Sequence, residues 1–127
     1  MSEETAEYKI SVMCGPSDGQ GMTLDEYQTL AIETAVYPSP IIYPALDICS
    51  EAGEIADKVK KVMRDENGTF TPSSKHEIAK EAGRVLRGIA NIAHDLGYSL
   101  EEIARMDYSK QRLRQLRDRL GGGGVRR

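Results

Sequence analysis

The chain has 127 residues, of which 39% are apolar and 29% are charged, and its formal net charge is −3. That length suits one domain with a mostly aliphatic core, because there are six Tyr, one Phe and no Trp. No apolar run approaches the roughly 18 residues of a membrane span, and two cysteines are too few for a disulfide scaffold or a zinc site. We therefore expect a small cytoplasmic domain that does not associate with a membrane.

The charge is unevenly distributed along the chain. The segment from Arg105 to the end carries eight Lys or Arg and two Asp, a net +6, which leaves −9 for residues 1–104. The basic segment suits an anionic partner, including the acidic part of a second copy, or is simply a solvated helix. We do not expect nucleic acid to be that partner, because Tyr108 is the single aromatic residue near the basic cluster and the rest of the chain is acidic.

Residues 1–22 are predicted to form a weakly ordered N-terminal extension, since glycines interrupt them and no periodicity is sustained. The first helix is expected to begin at Thr23, because Thr23 and Glu26 have the spacing of a capping box. It must end before Pro38, where a run of prolines begins.

Apolar residues at helical spacing predict a second helix over about 45–64, after Pro44, and a third over about 74–96. Cys49 falls in the apolar stripe of the second helix and is expected to be a buried, small apolar residue. Gly97 is expected to end the third helix, because glycine readily adopts the left-handed conformation of a helix C-terminus.

A fourth helix is predicted to begin at Ser99, which has the spacing of a capping box with Glu102. It ends at a Gly-rich basic tail, residues 121–127. Residues 23–120 are thus predicted to form an all-α domain, an antiparallel helical bundle of about four helices. Because the chain is short and its helices are unequal in length, we expect oligomerisation to complete the bundle.

Carboxylates lie beside the apolar stripe of the second helix. Asp47, Glu51 and Glu54 fall within an arc of roughly 60° there, and the third helix carries Glu81 on a similar flank. Partly desolvated carboxylates repel one another and attract divalent cations; without His or Cys nearby, a hard ion such as Mg²⁺ or Mn²⁺ is favoured over zinc. The alternative interpretation is a solvated acidic helix face.

Two short motifs extend this interpretation. Glu51-Ala52-Gly53-Glu54, within the stretch 43–68, and Lys80-Glu81-Ala82-Gly83 resemble the paired-carboxylate motifs of the MazG-like, all-α nucleoside triphosphate pyrophosphohydrolases. The likeness covers about residues 22–120 and is greatest to phage-type, single-domain members.

The resemblance implies an enzyme that converts an NTP or dNTP to its monophosphate and pyrophosphate, with Mg²⁺ as cofactor and Mn²⁺ as a substitute. It implies a homodimer or a dimer of dimers in the cytoplasm of a bacterium or a phage-infected host. Glu51, Glu54 and Glu81 would be the catalytic and metal-binding residues, with Asp47 as a substitute ligand. The expected substrate-binding residues, whose lysines could equally form a solvated face, are Lys58, Lys61, Asp107 and Lys110.

The sequence departs from the family pattern at one position above all. Arg84 stands where the family has an Asp metal ligand, three residues after Glu81, and at that spacing it is expected to pair with Glu81. Arg87 and Gly88 also replace residues that are usually aromatic. Because a guanidinium cannot bind Mg²⁺, the alternative function is a nucleotide-binding relative with impaired or lost catalysis.

Overall fold

The computed structural model describes residues 21–121, which form four α-helices and no strand. The predicted all-α fold is therefore confirmed. The calls made for the N-terminal extension and the Gly-rich tail fall on residues 1–20 and 122–127, outside the described residues. The helices are α1 (Leu24–Glu33), α2 (Ile42–Asp65), α3 (Pro72–Asp95) and α4 (Leu100–Leu120).

Both predicted capping boxes are present. The Thr23 hydroxyl accepts a hydrogen bond from the Glu26 backbone N–H at 3.1 Å, and the Glu26 carboxylate accepts one from the Thr23 N–H at 2.7 Å. Ser99 and Glu102 repeat the arrangement at the start of α4, with distances of 3.1 and 2.7 Å. Each box satisfies backbone N–H groups that have no partner inside the helix, which fixes where α1 and α4 begin.

The two long helices begin earlier than predicted. α2 starts at Ile42, so Pro44 does not break it but lies in its first turn, where a backbone N–H would have no helical acceptor. α3 starts at Pro72, for the same reason, and the Thr71 hydroxyl caps it. The start predicted for α2 was therefore too late, because Pro44 was interpreted as a helix breaker.

A small core lies where α1, α3 and α4 meet. Gln28 ties these helices together: its side-chain N–H group donates to the carbonyl oxygens of Ala90 and Tyr98, at 3.3 and 3.0 Å. Its side-chain oxygen accepts from the Leu100 backbone N–H at 3.1 Å. The buried apolar residues around it are Ala31, Ala90, Ala93 and Leu100, with Tyr27, Ile89 and Ile103 partly buried against them.

α2 and α3 pack along their lengths as an antiparallel pair. Near one end, the Lys58 ammonium lies 3.7 Å from the Glu81 carboxylate. Nearer the other end, a Cβ atom placed on Gly88 would lie only 2.7 Å from Cγ1 of Ile48. The contact residues follow opposite orders along the two helices, with Ile48 before Lys58 in α2 and Gly88 after Glu81 in α3. The two contacts therefore fix both the antiparallel orientation and the register of the pair.

Much apolar surface remains exposed in a single copy. Cys49, which was expected to be buried with the α2 stripe, is exposed, and so is Met63, while Val62 on the same helix is 4% exposed. The expectation for Cys49 was wrong because, within residues 21–121, α2 packs against α3 alone, so only one part of its stripe is covered. Leu113 and Leu116 on α4 are exposed as well. None of the four helices described has the length and apolar character needed to cross a membrane.

A carboxylate at the end of α3 holds the connection between α1 and α2. Asp95 accepts a hydrogen bond from the Tyr37 hydroxyl, at 2.9 Å to each oxygen, and another from the Ile41 backbone N–H at 2.9 Å. Ile41 has a φ of 68°, a conformation that is unfavourable for a β-branched residue. The Asp95 carboxylate therefore stabilises a strained entry into α2.

We predict that Gly88→Ala destabilises the fold, because the new methyl group would overlap Ile48. The expected loss is about 1–3 kcal/mol of unfolding free energy, measured by urea denaturation. The matched control is Gly83→Ala on the same helix, where a Cβ would meet nothing within 4 Å. That change should stabilise the chain by about 0.5–1 kcal/mol, since alanine favours a helix over glycine. Equal effects at the two positions would contradict the close approach of α2 and α3.

We also predict a loss of stability in alkali that depends on Tyr37. Burial, and then the hydrogen bond and charge of Asp95, raise the pKa of Tyr37 from 10.0 to about 12. Because the folded chain holds this proton more tightly than the unfolded chain, the contribution is complete below pH 10 and is lost between pH 10 and about 12.

The measurement is the urea midpoint of the natural chain and of Tyr37→Phe over that pH range. The variant lacks both the proton and the hydrogen bond, so it should be less stable by about 1 kcal/mol at neutral pH and show a shallower alkaline loss. Parallel curves for the two proteins would show that Tyr37 does not donate to Asp95.

Candidate functional site

The three predicted catalytic carboxylates lie on the packed helices α2 and α3. Lys58 faces Glu81, and the crossing at Gly88 lies toward the other end, so Glu51 and Glu54 fall between these two contacts. Glu54 is exposed, Glu51 is half-buried and Glu81 is 5% exposed. The antiparallel packing thus brings the carboxylate motifs of the two helices to one region.

Two cations already contact the deepest of these carboxylates. The Arg84 guanidinium donates to one Glu81 oxygen at 2.8 Å, and the Lys58 ammonium lies 3.7 Å from the other. The predicted pairing of Arg84 with Glu81 is therefore confirmed. Lys58 also lies 3.8 Å from Glu77. Two basic side chains thus offset the cost of burying the Glu81 carboxylate.

Glu51 is in a different position. Its Oε2 atom is buried and has no hydrogen-bond partner among residues 21–121. Within the same residues, no three His, Cys, Asp or Glu side chains converge closely enough to form a metal-binding group. The region therefore combines one buried carboxylate oxygen in need of a positive partner with a neighbouring carboxylate that already has two.

The predicted substitute ligand Asp47 and the predicted substrate-binding residue Lys61 have other neighbours. Asp47 lines a cavity with Arg87 and Asn91. Lys61 pairs with Asp57 at 2.7 Å, while Lys60 contacts the other oxygen of that carboxylate at 2.8 Å. Hydrogen bonds from these two lysines lower the pKa of Asp57 to about 2. The Lys61 ammonium therefore forms its ion pair within α2 rather than with Glu51, Glu54 or Glu81.

The predicted residues of α4 stay apart from the carboxylates in a single copy. Asp107 and Lys110 are exposed, and the Asp107 carboxylate accepts a hydrogen bond from the Gln111 side chain at 2.8 Å. Among the described residues, α4 packs against α1 and α3 but not against α2. One copy thus does not bring Asp107 and Lys110 to Glu51 and Glu54.

A cavity of about 260 Å³ lies between the end of α1, the start of α2 and the C-terminal half of α3. Its wall includes Asn91, which is 8% exposed and whose Oδ1 atom is buried with no hydrogen-bond partner in the described part of the chain. The sequence analysis missed this residue, because its neighbours at helical spacing, Arg87, Gly88 and Asp95, do not form an apolar face on which an amide would stand out. Arg87 was noticed only as a departure from the family.

Comparison with known proteins gives one informative match. The chain is 32% identical over 114 residues to the Gene 37 protein of Mycobacterium phage L5, an alignment that takes in 84% of this chain and 100% of that protein. No protein-family model and no solved structure matches the chain. The extent and identity of the alignment show that the chain belongs to the family of the phage L5 Gene 37 protein.

Proposed function

We propose that the chain is a MazG-like nucleotide pyrophosphohydrolase, which converts an NTP or dNTP to its monophosphate and pyrophosphate. The observation that carries the proposal is the buried Glu51 Oε2 atom, which has no hydrogen-bond partner within residues 21–121. A buried carboxylate oxygen without a partner is costly, and a bound cation would remove that cost. Glu54 on the same helix and Glu81 on the helix packed against it would supply further oxygens.

The donor set suits a hard cation. Carboxylate oxygens are the ligands that Mg²⁺ and Mn²⁺ prefer, and Glu51 and Glu54 carry no ion pair among the described residues. Glu81 would join them once Arg84 moves to an anionic group of the substrate. The bound metal would neutralise charge on the phosphates, and Lys58 would then be available to hold the departing pyrophosphate.

A second candidate function rests on the contacts of Glu81. With Arg84 at 2.8 Å and Lys58 at 3.7 Å, the chain's own cations take the place that a metal would need. The region could then bind the phosphates of a nucleotide through these side chains without hydrolysing it. The carboxylate motif would be a remnant of a catalytic site rather than a working one.

We further propose a homodimer or a dimer of dimers, acting in the cytoplasm of a bacterium or a phage-infected cell. The exposed apolar residues of α2 and α4 support an interface between copies, since such surface is rarely left open on a monomer. A second copy would also offer a route for Lys110 to reach the carboxylate region.

One experiment separates the two candidate functions. The full chain is incubated with each NTP and dNTP in the presence of Mg²⁺ or Mn²⁺, and the monophosphate and pyrophosphate are quantified by ion-exchange chromatography. We expect equal amounts of the two products from at least one nucleotide. Glu51→Gln should lower the rate at least about 100-fold, because it replaces a metal ligand. The matched control, Glu33→Gln at the exposed end of α1, should leave the rate unchanged.

Arg84→Asp tests the role of the guanidinium directly. If the natural chain binds nucleotides in calorimetry without turnover and Arg84→Asp gains turnover, the second candidate function is correct for the natural chain. We expect the substitution to raise Mn²⁺ affinity by about 10–100-fold, since it supplies a carboxylate in place of a cation. Absence of both binding and turnover in the two proteins would exclude both functions.

A further inference from the structure

Three charged or amide side chains line the cavity beside α3. Asn91 supplies a buried acceptor, its Oδ1 atom, for which no donor is present in residues 21–121. Asp47 supplies a carboxylate; its Oδ2 atom would lie 3.7 Å from a Cβ placed on Gly88. Arg87, one helical turn before Asn91, supplies a cationic donor. The wall thus offers two acceptor groups and one cationic donor, with the Asn91 amide N–H₂ as a further donor.

Two aromatic side chains also line the cavity. The rings of Tyr37 and Tyr43 are stacked, with their centroids 5.8 Å apart and their planes 6° from parallel, and both residues line the cavity. The hydrogen bonds from Tyr37 to Asp95 hold the first ring in place. Fixed aromatic rings beside a polar wall are suited to contact with a planar heterocycle.

We propose that this cavity binds the guanine base of a nucleotide. The edge of guanine opposite its ribose presents one carbonyl oxygen and two N–H donors side by side, which complements one cationic donor and two acceptor groups. Adenine, cytosine and uracil each present a single donor group on that edge. A volume of about 260 Å³ is slightly below that of sites for drug-sized molecules, roughly 300–1,000 Å³, and suits a single base.

In this arrangement the Asn91 Oδ1 atom and the Asp47 carboxylate accept the two N–H groups, and Arg87 donates to the carbonyl oxygen. Leaving Oδ1 buried without a donor is costly, so a ligand that supplies one gains more than the energy of an ordinary surface hydrogen bond. The inference rests on the proposed function only in taking the ligand to be a nucleotide. Base recognition itself requires neither a metal nor hydrolysis.

The test is calorimetric titration of the full chain with GMP, IMP, AMP, CMP and UMP, in buffer with EDTA. All five carry the same phosphate, so differences in affinity report the base. We expect GMP to bind at least about tenfold more tightly than AMP, CMP or UMP. IMP, which lacks the 2-amino group, should fall between them. Equal affinities for the five nucleotides, or no binding of GMP, would overturn the proposal.

Variants test the assignment to Asn91. Asn91→Asp keeps an acceptor beside Arg87 and should retain the preference for GMP, whereas Asn91→Leu removes the acceptor and should weaken GMP at least about tenfold. Gln115→Leu, the same type of exchange on the exposed part of α4, is the matched control and should bind GMP as the natural chain does. Unchanged GMP affinity in a folded Asn91→Leu variant would place the base elsewhere.

The outcome is distinguishable from that of the hydrolysis assay. GMP preference without turnover of any nucleotide would support the guanine site and exclude a pyrophosphohydrolase. Turnover of all nucleotides at equal rates, with no preference among the monophosphates, would support a pyrophosphohydrolase and exclude the guanine site. Because the titration with the five monophosphates uses the natural chain, it tests the guanine site even where a variant fails to fold.

Discussion

The close approach of α2 and α3 at Gly88 is the constraint on which the candidate sites depend. A side chain at this position would collide with Ile48, so glycine sets how near the two helices can come. The antiparallel register that follows places Glu51 and Glu54 between the contact at Gly88 and the contact of Lys58 with Glu81, and it places Asp47 across from the turn that carries Arg87 and Asn91. One steric contact thus positions both the carboxylates and the cavity wall.

The carboxylates of Glu81 and Glu51 differ in how their charge is compensated. Glu81 is nearly enclosed and has two cationic neighbours, an arrangement that is stable without any ligand. Glu51 has a buried oxygen with no partner in the described residues, and this arrangement is unfavourable without a ligand. A substrate phosphate that drew Arg84 away would free Glu81 while a cation satisfied Glu51. Substrate and metal would then bind cooperatively, each relieving a cost that the other leaves.

The parts of the structure that were predictable from sequence depend on residues close together in the chain. The capping boxes at Thr23 and Ser99, and the pairing of Arg84 with Glu81, all join residues three positions apart, so their spacing alone indicates the contact. Gln28 and Asn91 act across different helices, and no local pattern specifies their neighbours. The burial of Cys49 was predicted wrongly because periodicity identifies an apolar stripe but not how much of it another helix covers.

The proposed oligomer would connect the uncovered apolar surface with the charge asymmetry. In one copy, the buried cluster around Gln28 is small, and apolar residues of α2 and α4 face outward. α4 is also basic from Arg105 to Leu120, with six Lys or Arg against two Asp, while the outer side of α2 carries Glu54 and other acids. If α4 of one copy lay along α2 of another, apolar burial and charge attraction would act together. That arrangement would bring basic groups toward carboxylates that a single copy keeps apart from them, so an interface and a nucleotide site would form in the same step.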